Sequence, residues 1–292
     1  MILNKTNLAA MTTGFKAVFK DAFASAPSDW DKIAMEVPSS TRQETYAWLG
    51  ATTAFREWLG DRVVQNLASH DYTIKNRSFE NTVGVDRDDI EDDTYGVYKP
   101  LVAQLGQDAK QHPDRLVFEL LAAGFSTLCY DGQYFFDSDH PVAGASVSNT
   151  GGGSGTAWYL LDVSRMVRPL IFQKRRDYQF QAMDAPDDEA VFLRKEIRYG
   201  VDARVNAGYA LWQLAYGSKD TLNATNYAAA RSAMMAFKSD AGSPLGVRPN
   251  LLVVPPSLES AAFEVLKAER DAAGATNVYR DTADLLVTPW LA

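Results

Sequence analysis

Cysteine occurs once in the 292 residues, at Cys129, which excludes an internal disulfide and any all-cysteine metal cage and suits a reducing compartment. That lone thiol reads as a small buried hydrophobe rather than a nucleophile. Histidine is nearly as scarce: His70, His112 and His140 lie in three separate regions, with no HxH or HxxxH pair to start a metal site. No serine sits in a GxSxG elbow; the GGGSG run ending at Gly155 misses that spacing, and it also lacks the lysine of a phosphate loop. Positive charge is in deficit, 29 Lys and Arg against 37 Asp and Glu, and the net −8 argues against a surface built to grip nucleic acid all over. No apolar run approaches the ~20 residues needed to span a bilayer. The first residues do not form a signal peptide, because Lys16, Lys20 and Asp21 interrupt their apolar centre. These absences predict a soluble protein made in the cytoplasm.

What is present is ordinary globular material, 46% hydrophobic and 23% charged, enough for one large domain or two smaller ones. In the first 25 residues Leu8, Met11, Phe15, Val18, Phe19 and Phe23 recur every three to four positions, an amphipathic helix cut off by APSDWDK. Such a helix needs a surface to dock on, in its own core or on a neighbour. Residues 35 to 90 read as strands and turns with thin apolar content, including DRVVQNL and HDYTIKNRSFENTVGVDRDD, as expected of a long hairpin that leans on something else. The acids of DRDDIEDD precede a helix from about Thr94 to His112 and suit its start. They do not make a calcium loop, since Glu91 stands where glycine is required.

Pro113 fits the first turn of a new helix, DRLVFELLAAGFSTLCY, with Leu116, Leu120, Leu121 and Phe125 inward. VAGASVSNTGGGSGT reads as a mobile surface excursion. From Ala157 to Gly217 strands dominate, including AWYLLD, VRPLIFQ and EAVFLRKEIRYG. KRRDY, Lys174 to Tyr178, reads as a solvated strand end. Residues 218 to 292 change rhythm: a helix carrying Tyr227, Ala230, Met234 and Phe237, the buried strand NLLVVPP, a helix closing at Gly274, and a last strand in ADLLVTPWLA. They predict a compact α/β unit, a second domain.

The chemistry concentrates in DGQYFFDSDHP, where Asp131, Asp137, Asp139 and His140 offer carboxylates and an imidazole within ten residues. As a metal cluster they would serve a metal-dependent enzyme. Yet Asp131-Gly132 and Asp137-Ser138-Asp139 both read as turns around a short buried Tyr134-Phe135-Phe136 strand, which favours a structural corner.

Several phrases together carry a resemblance: KIAMEVPSSTRQETYAWLG from Lys32, FENTVGVDRDDIEDD from Phe79, CYDGQYFFDSDHP from Cys129, YLLDVSRMVRPLIFQKRR from Tyr159 and LGVRPNLLVVPPSLESAA from Leu245. In these phrases, and in the order of segments over essentially its whole length, the chain resembles the Mu-type phage and prophage major head subunit, a coat-protein family with the Hong Kong 97 (Johnson) fold. The resemblance implies an α+β capsid fold: an N-terminal arm over 1–39, an extended loop over 40–88, a peripheral domain with its spine helix over 89–219, an α/β axial domain over 220–280, and a final strand, 281–292, returning to the peripheral domain. It implies no enzyme, no cofactor and no metal, but a subunit of an icosahedral shell around double-stranded DNA. Hexamers and pentamers of the chain would build that shell, with scaffold, protease, portal and decoration proteins as partners and no membrane.

On this reading the virion is the location, and the host cytoplasm the place of assembly. Leu8, Phe15, Phe19, Phe23, Trp48, Trp58 and Tyr72 become candidates for contacts between subunits. Asp131, Gly132, Asp139 and His140 become turn-fixing residues. Some shells of this fold carry a Lys–Asn cross-link; no motif in this sequence assigns one, and Lys75 and Asn76 of the extended loop are candidates only. Two rivals remain: the metal-dependent enzyme, and a nanocompartment shell of the same fold that holds a cargo enzyme.

Overall fold

The structure is a computed structural model that describes residues 5–49, 71–92, 96–185, 187–240, 242–270 and 274–292. In chain order its elements are α1 (Lys5–Ser25), α2 (Trp30–Ile33), β1 (Ala34–Pro38), β2 (Gln43–Thr45), β3 (Thr73–Lys75), β4 (Arg77–Asp86), α3 (Arg87–Asp92), α4 (Lys99–Ala122), β5 (His140–Val142), β6 (Ala145–Val147), β7 (Thr150–Gly153), β8 (Trp158–Leu161), β9 (Leu170–Met183), α5 (Glu189–Arg194), β10 (Glu196–Tyr209), β11 (Ala215–Lys219), α6 (Ala224–Met235), β12 (Leu251–Val254), α7 (Glu259–Leu266) and β13 (Asp284–Val287).

Two sheets organise them. A four-stranded sheet runs β1-β9-β10-β4, with β1 parallel to β9 and the rest antiparallel. Along β10 every second side chain from Ile197 to Val205 is buried, the period of a strand with one face on a core. That face meets α1 and the first half of α4, where Phe15, Phe19, Val102, Leu105, Tyr199 and Val201 form one apolar cluster. The second sheet, β13-β12-β8-β11-β7, is mixed, and its centre is solid core: WYLL of β8 and LLVV of β12 are buried throughout. A larger cluster surrounds it and takes in Leu116, Val117, Phe118 and Leu121 from the second half of α4.

One helix therefore serves both cores, and here the structure corrects the sequence reading. Pro113 does not begin a helix; it sits buried inside the 24-residue α4. Its missing N–H costs one internal hydrogen bond, less than the cost of interrupting a rod whose two halves anchor two clusters. The carboxylates of DRDDIEDD also act elsewhere than expected. Arg87–Asp92 form α3, where Asp88 and Asp89 occupy the first turn and Asp86 Oδ1, at the end of β4, accepts from the Asp88 amide at 2.8 Å. Helix α4 begins at Lys99, after Tyr98.

Other expectations shift with tertiary context. EAVFLR is the short helix α5, not a strand, entered after Asp188 and left through a left-handed Lys195 at φ +55°. The glycine-rich run is partly ordered, since β7 pairs in parallel with β11. Gly153, at φ +85°, lies so near Lys219 and Asp220 that a Cβ would strike their backbone. The segment over 218–292 does not stand apart. β12 lies between β13 and β8, so the last strand joins the second sheet through β12, while the 3-10 turn Pro289–Leu291 carries Trp290 back toward α4. A four-residue strand that is apolar on both faces needs a neighbour on each side, and β8 supplies one.

The N-terminal helix docks on its own chain. Gly106 of α4 makes the close approach: a Cβ there would stand 2.6 Å from the Phe19 carbonyl oxygen. Phe15 packs edge-on against Tyr199, and Phe19 lies on Phe180 with ring centres 5.2 Å apart. Phe15 and Phe19 are thus filled positions rather than a free face for a neighbour, and Phe23 rests on Tyr178. Tyr72 is likewise engaged, its hydroxyl oxygen accepting from the Tyr209 amide at 2.9 Å. Trp48 keeps an exposed face. The Leu8 side chain and the whole of Trp58 lie outside the described residues.

Candidate functional site

DGQYFFDSDHP folds as a corner tied across the larger core. Its first turn is local: Gly132, at φ +86°, lets its amide reach the Cys129 carbonyl (3.2 Å) while Cys129 N donates to Gln133 O (2.8 Å). Asp131 Oδ1 accepts from the Gln133 amide and from the Cys129 thiol, both at 3.1 Å. The aromatic centre then plugs inward without forming a strand. Phe135 stacks on Tyr209 at 4.4 Å, and Phe136 fills the space left by Gly124 and Gly217. Tyr134 stays exposed. At the second turn Asp137, not Asp139, does the fixing: its carboxylate accepts from the Tyr134 and Ser138 amides, whereas Asp139 is exposed against Asp137.

His140 closes the corner. Its ring is fully buried and lies flat on Trp212, centres 4.0 Å apart and planes 11° from parallel. Nδ1 stands 2.7 Å from Asp131 Oδ2 and Nε2 stands 3.1 Å from Asn149 Oδ1. The Asn149 amide cannot be turned round, because its Nδ2 donates to the carbonyls of Phe135, Trp212 and Ala215 and its Oδ1 accepts from the Asp137 amide. Both ring nitrogens of His140 therefore face side-chain oxygens, of Asp131 and of Asn149. Burial pushes the Asp131 carboxyl up, but hydrogen bonds from His140 and Cys129 and the charge of the His140 ring outweigh it, leaving the group below its ordinary range.

This donor set does not suit a metal. Ligand atoms of Cys129, Asp131 and His140 do lie within 4.8 Å of one another. Burial, however, pushes the Cys129 thiol well above its usual range, with Asp131 adding to the effect. Both ring nitrogens of His140 are already engaged, by Asp131 and Asn149, and the Cys129 thiol is spent on Asp131. Asp137 and Asp139, which the metal reading requires, point elsewhere. The corner holds Cys129–Gln133, Asn149 and Trp212 together. Asn149 and Trp212 are its central members that the sequence did not reveal.

Two further places carry polar chemistry. Between α4 and the first sheet lies a cavity of about 470 Å³ lined by Phe79, His112, Tyr178 and Trp290. There burial, with Arg115 and Arg77, drives His112 down to about 4, and its Nδ1 lies 2.6 Å from the Tyr178 hydroxyl. At the foot of residues 46–72, a buried chain of hydrogen bonds joins Tyr46, Gln173 and Asn76: Tyr46 OH donates to Gln173 Oε1 (2.8 Å), Gln173 Nε2 donates to Asn76 Oδ1 (2.7 Å), and Asn76 Nδ2 donates to Ser39 Oγ and the Thr41 carbonyl. The Asn76 amide is thus occupied on both sides, against the cross-link conceived for Lys75 and Asn76. Beside it Glu44 Oε1 accepts from Ser39 Oγ and the Ser40 and Thr41 amides, and these hold the carboxyl at about 2.

Among the described residues these polar groups are spent on corners and joints. The family model described as Mu-like prophage major head subunit gpT matches residues 8–291. The chain belongs to the Mu-like prophage major head subunit family. Relatives of this head subunit include the Mu-like prophage FluMu major head subunit of Haemophilus influenzae Rd, 46% identical over 272 residues and 89% of this chain and 88% of the relative. The major capsid protein of Escherichia phage Mu is 42% identical over 290 residues, 95% of each chain. Among solved structures, a chain of the bacteriophage JBD30 procapsid is 46% identical, with TM-score 0.87 over 99% of this chain and all of that one. A chain of the JBD30 capsid matches at 37% identity and TM-score 0.81 over the whole of both chains.

The head subunit's fold is accordingly the Hong Kong 97-type α+β capsid fold, and its function is that of a major capsid protein, a component of the virion. Its relatives are structural capsid proteins, and this phage-head family favours neither the metal-enzyme reading nor the nanocompartment. Among the described residues no helix is long and apolar enough to cross a membrane.

Proposed function

We propose that this major head subunit self-assembles, as hexamers and pentamers, into the closed icosahedral shell that encloses the double-stranded DNA of a Mu-like phage or prophage. The carrying observation is the whole-chain likeness to subunits of an assembled head, at 46% identity and TM-score 0.87. Within that shell residues 1–39 act as the arm, 40–88 as the extended loop, 89–219 as the peripheral domain with α4 as its spine, and 220–280 as the axial domain around the five-fold and six-fold centres. The final segment, 281–292, ties the axial part back through the turn that carries Trp290. Heterologous contacts repeated by symmetry close such rings, and no single contact has to be strong.

Assembly takes place in the cytoplasm of the bacterial host, with scaffold, protease and portal proteins as partners. A decorating protein is a further partner; the JBD30 capsid is decorated with minor capsid protein trimers. The DNA is held without sequence recognition, and the net −8 keeps it from adhering where that charge lines the lumen.

Electron microscopy of the purified chain, with sedimentation across concentration and salt, tests the proposal. Rings, sheets or shells tens of nanometres across are expected. A monomer under every condition, even when co-expressed with the other head genes of its phage, would overturn it.

A further inference from the structure

The four-stranded sheet carries opposite characters at its two ends. Strand β4 pairs with β10 over ten residues, from Arg77 opposite Val205 to Asp86 opposite Glu196, a ladder about 30 Å long. At the far end α5 projects Phe192 and Leu193, 77% and 65% exposed, among the largest apolar side chains left uncovered on the described surface. Exposed acids surround them: Asp89 from α3, and Asp187 and Glu189 at the entry to α5. None of these three has an ion-pair partner among the described residues.

At the near end the chain presents Trp48, 39% exposed, edge-on to Tyr46. Exposed cations accompany it. Arg42, just before β2, and Lys75, at the end of β3, have no acidic partner among the described residues, and Arg175 lies on the Ser39 carbonyl. Both ends are held rigidly. α5 is clamped by Val191 in the first core and by the Lys195–Asp88 ion pair at 3.0 Å, and the near end by the Tyr46–Gln173–Asn76 chain.

We infer that the α5 tip of one copy docks head-to-tail on the near end of the sheet of a second copy, Phe192 and Leu193 covering Trp48 while Asp187 and Glu189 face Arg42, Lys75 and Arg175. The knob carries more acid than base, with Arg194 and Lys195 as its cations, and the platform more base than acid, with Glu44 and Asp71 as its carboxylates, so charge complementarity favours the near end of another copy over another acidic tip. Because the two patches differ, the contact is heterologous: it repeats round a ring or across a surface rather than stopping at a dimer. The inference rests on the shell reading and assigns one of the contacts that shell needs.

The test uses the full chain in two single substitutions with different tags, Leu193→Cys and Trp48→Cys, mixed under assembly conditions with a mild oxidant; native Cys129 is buried and stays out of the exchange. Disulfide-linked pairs containing one chain of each kind are expected. A second arm reverses charge. Asp187→Lys with Glu189→Lys lowers particle yield about tenfold without loss of helix content by circular dichroism, and Arg42→Glu with Lys75→Glu on the same chain restores it. Particles without mixed cross-links, cross-links joining only Leu193→Cys chains, or failure of the reversed pair to rescue would each overturn the contact. If the unaltered chain stays a folded monomer throughout, the shell reading itself fails, and the contact with it.

Discussion

His140 shows how much of this molecule depends on single buried polar atoms. With the ring deleted, the Asp131 carboxylate is left buried beside a protonated thiol, and Asn149 Oδ1 loses its ring partner. Breaking a buried pair in this way costs about 3–5 kcal/mol, so His140→Ala should lower the denaturant midpoint by that equivalent with no change in bound metal. Because the folded-state Asp131 carboxyl sits below its ordinary range, its contribution is present at neutral pH and disappears as pH falls through the carboxylate range into acid. Asp114 has the opposite sign. It is buried on α4, its Oδ1 accepts from the Asp29 and Trp30 amides at 2.7 Å, and burial raises its carboxyl above the usual range. Its stabilising form is the protonated one, fully present below the ordinary carboxylate value and lost as pH rises through the raised one. Asp114→Asn keeps the acceptor without the charge, so stability at pH 7 should rise and that part of the pH dependence should vanish in urea titrations at several pH values. The Asp131-Gly132 turn could be read in the sequence because every partner is within a few residues. Asn149 could not, since two of the carbonyls it binds lie 63 and 66 positions away.

Among elements, α1 and α4 were legible because their apolar positions recur with helical period over many turns. The continuity of α4 was not, because a proline is compatible both with starting a helix and with a notch in one. The short EAVFLR segment fails for a related reason: six residues hold too few periods to separate helix from strand, and the tight return between β9 and β10 decides. The docking of α1 hangs on one position. Gly106→Leu should lift α1 from α4 and loosen the helix backbone around the already exposed Lys16 and Lys20, and limited trypsin proteolysis followed by mass spectrometry would read faster cleavage there than in the parent chain, whose helix is docked. The joint below residues 46–72 behaves differently, since it is polar and fully satisfied. Gln173→Leu strands the Tyr46 hydroxyl and the Asn76 side-chain oxygen, with an expected loss of about 3 kcal/mol in chemical denaturation.

At the scale of the whole molecule, function was legible through phrases spread over the entire length, while no local motif announced it; a shell subunit works by surfaces, and surfaces draw on residues distant in sequence. With no disulfide and its one cysteine buried, the particle should form and persist equally with and without reductant, which sedimentation in the two conditions would check. The outer strands of the second sheet matter most when copies are crowded. At β7, Gly152 and Gly153 turn to positive φ, and the opposite border, β13, is four residues long and opens with exposed Asp284. Neither border offers a straight run of free amides and carbonyls. Copies crowded together in a shell therefore have no template at either border of this second sheet for extending it from one subunit into the next.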